Sequence, residues 1–370
     1  MPERIQTPGL EQRGEVLLPE ALGNTEGRVE ELFPYREVLL RTIGIGIIML
    51  LMVSAPGPDS NADHKITKWP DNKRGAVSLT FDDGCRSQYV QGIPELERRG
   101  YKGTFFLITG SVKAWDHWQD AASSGHEIGS HTKTHPYLTR LQLPQVQDEM
   151  RGAMEQIDAR IPQEKCILFA YPFGDLDPSV RSIAGKTYLV SRGGGIDCAL
   201  NDDSVDFTNV KGCSPDDGND IYGFTEAAER TGGWLVAIFH SLDGGKDCYG
   251  SWTFDAWKAY LDHLDSRELW VGPFGAAAKY FRERISATIS VRSLSPEEIT
   301  LSLTDTLDDA IYDEPLTIRS GIPRYWEKVI VQQGGSITEK EAEFEGEDRV
   351  IYYNAVPDRG LVSLRNFRAE

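Results

Sequence analysis

Positive charge is scarce in this 370-residue chain: 39 lysines and arginines face 57 aspartates and glutamates, a net charge of −18. Such a surface repels a phosphate backbone, so a nucleic-acid partner is excluded. Long apolar runs are also missing. The stretch from Ile43 to Val53, behind Arg41, falls short of the ~20 residues a spanning helix needs. It has the length of a signal-peptide core, and Val53-Ser54-Ala55 fits a small-residue cleavage site. Residues 38–55 are therefore expected to be a signal peptide or, failing that, a membrane anchor; a buried core helix is the bland alternative. Residues 1–37 read as a disordered extension or as the product of an upstream start codon. A secreted or cell-envelope location follows. None of the five cysteines lies in a CxxC pair, which excludes a zinc knuckle, and the odd count leaves a free thiol. Cys198 and Cys213 bracket a polar loop and are expected to pair, while Cys85 and Cys166 read as small apolar residues beside core strands. Internal repeats and low-complexity tracts are absent too.

What is present is a core. Apolar residues make up 40% of the chain and aromatics 10%, ordinary values for a globular protein. Residues 56–75 read as a linker of turn formers. From Ala76, short apolar runs (76–81, 103–108, 126–130, 166–171, 187–191, 234–240, 269–272) alternate with helical patterns. This alternation predicts parallel strands joined by right-handed crossovers. Seven units fit a (β/α) barrel, and an open doubly wound sheet has the same signature. After about Ile285 the pattern changes to period-two strands separated by Pro, Gly and Asp turns, at 286–294, 298–305, 315–321, 328–334 and 349–355. That predicts a barrel over 76–285 and a small β-sandwich over 286–370.

In α/β folds functional groups gather at the carboxyl ends of strands. The strand 76–81 runs into 79-LTFDDG-84, an adjacent carboxylate pair. The strand in 125-GHEIGSHTKTH-135 runs into His131 and His135, four residues apart. Two imidazoles and one carboxylate suit a divalent metal with open positions. Either motif alone reads as solvated side chains on a turn; together, at strand ends of one barrel, they point to a metal site. The run 234–239 ends at His240, which is either a satisfied core histidine or a general acid. The turn 169-FAYPFGD-175 is placed to offer backbone N–H groups to an oxyanion. The glycine-rich 191-SRGGGIDCAL-200 lacks a following Lys-Ser/Thr pair and reads as a plain loop. Among the tryptophans, Trp252, near the His240 loop, is the candidate for stacking on a sugar.

LTFDDG, GHEIGSHTKTH, FAYPFG and the IFH strand end resemble, in order, the motifs of polysaccharide deacetylases, over roughly residues 75–285. The resemblance implies a distorted (β/α)7 barrel and metal-dependent removal of acetyl groups from polysaccharide. It implies Asp82 as catalytic base, Asp83, His131 and His135 as ligands of a divalent ion (zinc, with cobalt, nickel or iron as alternatives), and His240 as general acid. It also implies an oxyanion contact from the backbone N–H of Phe173. N-deacetylation of GlcNAc-containing glycan is the leading expectation, O-deacetylation of an acetylxylan-type glycan the second. Hydrolysis of a small-molecule amide and a non-catalytic carbohydrate-binding role are further alternatives. Two departures stand out. Ala170 occupies the position where many relatives carry an arginine that holds the base, and the acidic partner of the acid histidine has no clear match, Asp197 being a guess.

Overall fold

The computed structural model describes residues 63–163, 165–193 and 199–367. The segment 38–55, Asp197 and Cys198 lie outside the described residues, all of which belong to one compact unit, Ser54–Glu370. In chain order the elements are β1 (His64–Ile66), β2 (Gly75–Phe81), α1 (Ile93–Arg98), β3 (Thr104–Leu107), α2 (Trp115–Ser123), β4 (Glu127–Ser130), α3 (Leu143–Asp158) and β5 (Leu168–Ala170). Next come α4 (Pro178–Thr187), β6 (Val190–Arg192), α5 (Ile221–Thr231), β7 (Trp234–Phe239), α6 (Phe254–Asp265), β8 (Leu269–Val271) and α7 (Phe274–Ser286). The chain ends in β9 (Thr288–Leu294), β10 (Glu298–Thr304), β11 (Leu316–Ile322), β12 (Lys328–Gln333), β13 (Ser336–Glu341), β14 (Glu343–Glu345), β15 (Asp348–Ala355) and β16 (Val362–Asn366).

The parallel strands run in the order β6-β5-β4-β3-β2-β7, with β8 beside the first half of β2. The sheet curls into a distorted (β/α)7 barrel in which β6 and β7 do not pair directly. The irregular segment between them closes the gap. Val210 exchanges hydrogen bonds with the β6 side (Val210 N–H to Ser191 O, Gly193 N–H to Val210 O, both 2.9 Å). Cys213 does the same with β7, at 2.8 Å each way.

Alternation along the strands builds two apolar layers. Val77, Leu79 and Phe81 face the helices, where α3 presents Val146, Met150, Ala153 and Ile157 at helical spacing. Ala76, Phe106, Leu168 and Val190 face the concave side, which α7 fills with Phe274, Ala277 and Phe281. The first turn of α7 is capped by a carboxylate from the barrel floor: Glu127 accepts the N–H groups of Gly275 (2.7 Å) and Ala276 (2.9 Å).

Beyond α7, two antiparallel sheets, β1-β11-β15-β14 and β13-β12-β16-β10-β9, share one core that includes Leu301, Ile318, Val331, Ile351 and Leu364. Three features depart from the sequence reading. The stretch read as linker contains β1, which pairs with β11, and the fully buried Trp69, which packs on Trp234, Trp270, Tyr280 and Phe281. Two apolar anchors among turn formers are enough to sew the chain's entry onto the later sheet. Strands β13 (SITEKE) and β14 (EFE) escaped the pattern because they are edge strands, largely exposed and charged. Cys85 is not a core thiol but forms a disulfide with Cys248 across 163 residues. Cys166 is the buried free cysteine among the described residues, and Cys213 is disulfide-bonded.

Candidate active site

β2 delivers two adjacent carboxylates into different surroundings. Asp82 is still in the ladder, its N–H donating to Phe239 O (2.9 Å), and its side chain is buried. Asp83 then enters the left-handed region (φ 72°). Thr132 (φ 64°), His135 (φ 61°) and Phe173 (φ 59°) do the same around the same cavity. Each such non-glycine residue costs about 1–3 kcal/mol, and such strain collects where side chains must be aimed. His131 and His135 thus sit in a tight loop, with His135 N–H donating to Thr132 Oγ1 (3.0 Å).

That loop turns both imidazoles toward Asp83. Its Oδ1 lies 3.7 Å from Nε2 of His131 and 3.7 Å from Nε2 of His135, and the two Nε2 atoms are 3.1 Å apart. Ligands bound at ~2.0–2.2 Å in tetrahedral or octahedral geometry stand roughly 3–3.5 Å apart, so the triangle has the size of a metal site. Two observations test the fit. Asp83 Oδ1 is buried without a hydrogen-bond partner. His131 Nδ1–H donates to the carbonyl of Ala170 (2.8 Å), leaving the Nε2 lone pair directed at the triangle. A divalent cation fits this donor set.

Arg192 answers the question raised by Ala170. The two are register partners on β5 and β6, and the Arg192 Nη2 donates to Asp82 Oδ1 (2.6 Å) and Oδ2 (2.5 Å). The guanidinium, buried and 5.3 Å over the Phe106 ring, reaches Asp82 from β6, the strand beside Ala170. Burial alone would raise the Asp82 carboxyl, but Arg192, then His131 and His240, outweigh it and hold Asp82 below the usual carboxylate range.

His240 follows β7, with Nε2 3.9 Å from Asp82 Oδ2 and Nδ1 3.5 Å from Asp216 Oδ2. Asp216 is fixed by Ser251, whose N–H (2.7 Å) and hydroxyl (2.9 Å) bind its other oxygen. Burial would lower the His240 pKa; Asp216 first, then Asp82 and Asp83, raise it above the ordinary histidine value instead. Sequence reasoning missed both partners. Arg192 carries a weak signal, a lone cation closing a strand in SRGGG. Asp216 carries none, being one carboxylate of many in an Asp-rich loop.

These groups line a cavity of about 570 Å³ with Tyr171, Ser214, Asp217, Asn219 and Tyr249. The Phe173 side chain is half exposed at its mouth, stacked on Tyr137 (4.0 Å) and edge-on to His135 (4.4 Å). Trp252 is not part of it. Its ring packs inward on Phe239 (5.3 Å) and Tyr260 (6.1 Å), because the loop after His240 folds back to cover the end of β7. Tyr249, 59% exposed and edge-on to His240, occupies the place expected of Trp252.

Residues 70–190 match the family model for polysaccharide deacetylase. This stretch, about a third of the chain, is similar to the polysaccharide deacetylase family. The matched stretch contains Asp82, Asp83, His131 and His135 and ends just short of Arg192, so Arg192, Asp216 and His240 lie beyond it. Among curated relatives, a gellan lyase from Bacillus sp is 28% identical over 335 residues, 83% of this chain and 13% of that protein. Chitin deacetylase 1 of Cryptococcus neoformans is 31% identical over 34% of this chain and 26% of its own length. The chain thus spans 26% or less of either relative. Among solved structures, the family 4 esterase domain of a multidomain xylanase from the Trinervitermes trinervoides hindgut metagenome is 21% identical, with a TM-score of 0.42 over 55% of this chain and 89% of that one.

Proposed function

We propose that the protein hydrolyses acetyl groups on polysaccharide, with N-deacetylation of a GlcNAc-containing glycan as the leading reaction. The carrying observation is the division of labour within the carboxylate pair: Asp83 points at two imidazoles, Asp82 at an arginine. Asp83, His131 and His135 would hold a divalent ion, zinc first among zinc, cobalt, nickel and iron. Such an ion supplies Lewis acidity to a carbonyl and acidifies water.

Asp82 takes the proton of the attacking water. It suits that task because Arg192 keeps it ionised and fixes the orientation of its oxygens. His240, kept protonated by Asp216, donates a proton to the departing amine or alcohol. The backbone N–H of Phe173 serves the developing oxyanion. Tyr249, Phe173 and Tyr137 form an aromatic mouth of the kind that sugar rings stack against. The Cys85–Cys248 disulfide supports the reading of an exported protein, since such bonds persist outside the reducing cytosol. The convergence of base, acid and metal donors in one cavity argues for an enzyme over a binding protein.

The test is acetate release from chitooligosaccharide and from acetylxylan, before and after chelation and after restoring zinc. Acetate from the first substrate, lost on chelation and recovered with zinc, is expected. Release from acetylxylan alone would transfer the reaction to O-acetyl esters, and release indifferent to chelation would refute the metal site. Asp82→Asn should lower turnover by about 10³-fold while metal content stays at wild-type level.

A further inference from the structure

The cavity described above is one lobe of a longer cleft. A second lobe of about 630 Å³ lies on the far side of Asp83, His135 and Tyr249, which line both. Its walls come from the loop after Asp83, which carries Arg86 and Tyr89, and from Ser111–Ala114 after β3, which carries Lys113. The disulfide fixes the first of these walls to the Tyr249 loop.

The two lobes differ in charge. The first holds Asp82, with its charge answered by Arg192, and an uncompensated Asp217. The second holds Arg86 and Lys113. Both are exposed, and neither forms an ion pair or side-chain hydrogen bond with a described residue. In a chain of net charge −18, two unpaired cations face one lobe from its two walls. The lobe's carboxylates, Asp83 and Asp247, have other partners. Asp83 belongs to the metal triangle, and Asp247 accepts the N–H of Ser87 at 2.5 Å. Tyr89, stacked on His117 (4.3 Å), adds a ring wall beside the cations.

Resting on the deacetylase reading, we propose that this second lobe is a subsite for an anionic sugar. The substrate is then a polysaccharide in which a sugar bearing a carboxylate neighbours the acetylated one. With the acetyl group over the triangle, the adjoining residue falls in the Arg86–Lys113 lobe, where two charge-assisted hydrogen bonds await a carboxylate. A neutral polymer passes through the same cleft without them. The site sets specificity and takes no part in the bond-breaking step.

The test separates binding from chemistry. In Asp82→Asn protein, calorimetry at low salt measures affinity for an oligouronate and for a neutral xylooligosaccharide of equal length. The oligouronate should bind more tightly, and Arg86→Gln with Lys113→Gln should remove about tenfold of its affinity while leaving the neutral oligomer unchanged; rising salt should do the same. Both side chains are exposed, so the variant keeps its fold, which the unchanged neutral binding verifies. Equal affinity for the two oligomers in the parent protein, or an equal loss for both in the variant, overturns the proposal. In the parent enzyme, acetate release from a polymer alternating GlcNAc with a uronate should exceed that from chitooligosaccharide, and the variant should erase the difference. Failure to release acetate from any polymer refutes the deacetylase reading, while the binding result still decides the subsite.

Discussion

The barrel buries carboxylates at both of its ends and treats them in opposite ways. At the carboxyl ends of the strands Asp82 lies against Arg192, between two histidines, and stays ionised below the usual range. At the floor, Glu127, Glu283 and Glu314 crowd where α7 meets the sandwich. The cation nearby, Lys279, is paired with Asp313. Burial there wins: Glu283 is raised to about 8 and Glu314 to about 7, and Glu127 is also raised although Gly275, Thr104 and Ala276 bond to it. The difference teaches that a buried carboxylate needs a cation to remain a base. Without one, burial raises its pKa.

Removing a carboxylate from the upper end should have the largest effect. Asp83→Ala leaves two imidazoles without their anionic partner. Metal content should fall to trace levels by elemental analysis, and acetate release by about 10³-fold or more. A fully metallated variant would break the comparison. Asp216→Asn acts on the acid. Asp216 raises the His240 pKa, so its loss lowers that pKa and the acid deprotonates earlier as pH rises. The alkaline limb of kcat/KM should move to lower pH, with the rate at neutral pH down by roughly tenfold. An unmoved limb would show that His240 is not the titrating acid.

The smallest effect belongs to the floor. Glu283 is fully buried and its folded-state pKa of about 8 lies above the ordinary value of 4.5. Its protonated form supports the fold below pH 4.5, and that support is lost as pH rises toward 8. Glu283→Gln keeps the acceptor for the Glu314 N–H (3.2 Å) and cannot ionise. The variant should match the wild type in thermal unfolding at pH 4 and exceed it by roughly 1–3 kcal/mol at pH 9. Lower stability at pH 9 would mean that Glu283 is ionised and paired in the fold.

The upper end was far more legible in the sequence than the floor or the sandwich. Asp82, Asp83 and His240 follow strongly apolar strands, His131 and His135 stand four residues apart after β4, and the parallel topology brings such strand ends together from anywhere in the chain. Legibility failed where function depends on one long side chain crossing between strands. Arg192 reaches Asp82 across β5–β2 because Ala170, its register partner, leaves the space open, and pairing register is invisible in a single sequence. Asp216 and Tyr249 sit in loops positioned by other loops and by the Cys85–Cys248 bond, which join residues far apart in the chain. Trp252 illustrates the reverse error: proximity in sequence to His240 placed it at the site, while the apolar end of β7 claimed its ring. In the sandwich, β1 and the charged edge strands lack the alternation that betrays a strand with one face in the core.

The central claim is that Arg192, one strand over from Ala170, holds Asp82 in its proposed role as base. The pH dependence of kcat/KM in Arg192→Ala, with and without Ala170→Arg, tests it directly. Arg192 lowers the Asp82 pKa, so its removal should shift the acid limb to higher pH and reduce the rate by roughly 10²-fold. Restoring an arginine at position 170 in the same chain should return the limb toward its wild-type position and recover part of the rate. An acid limb that stays in place in Arg192→Ala, with metal content intact, would contradict the account.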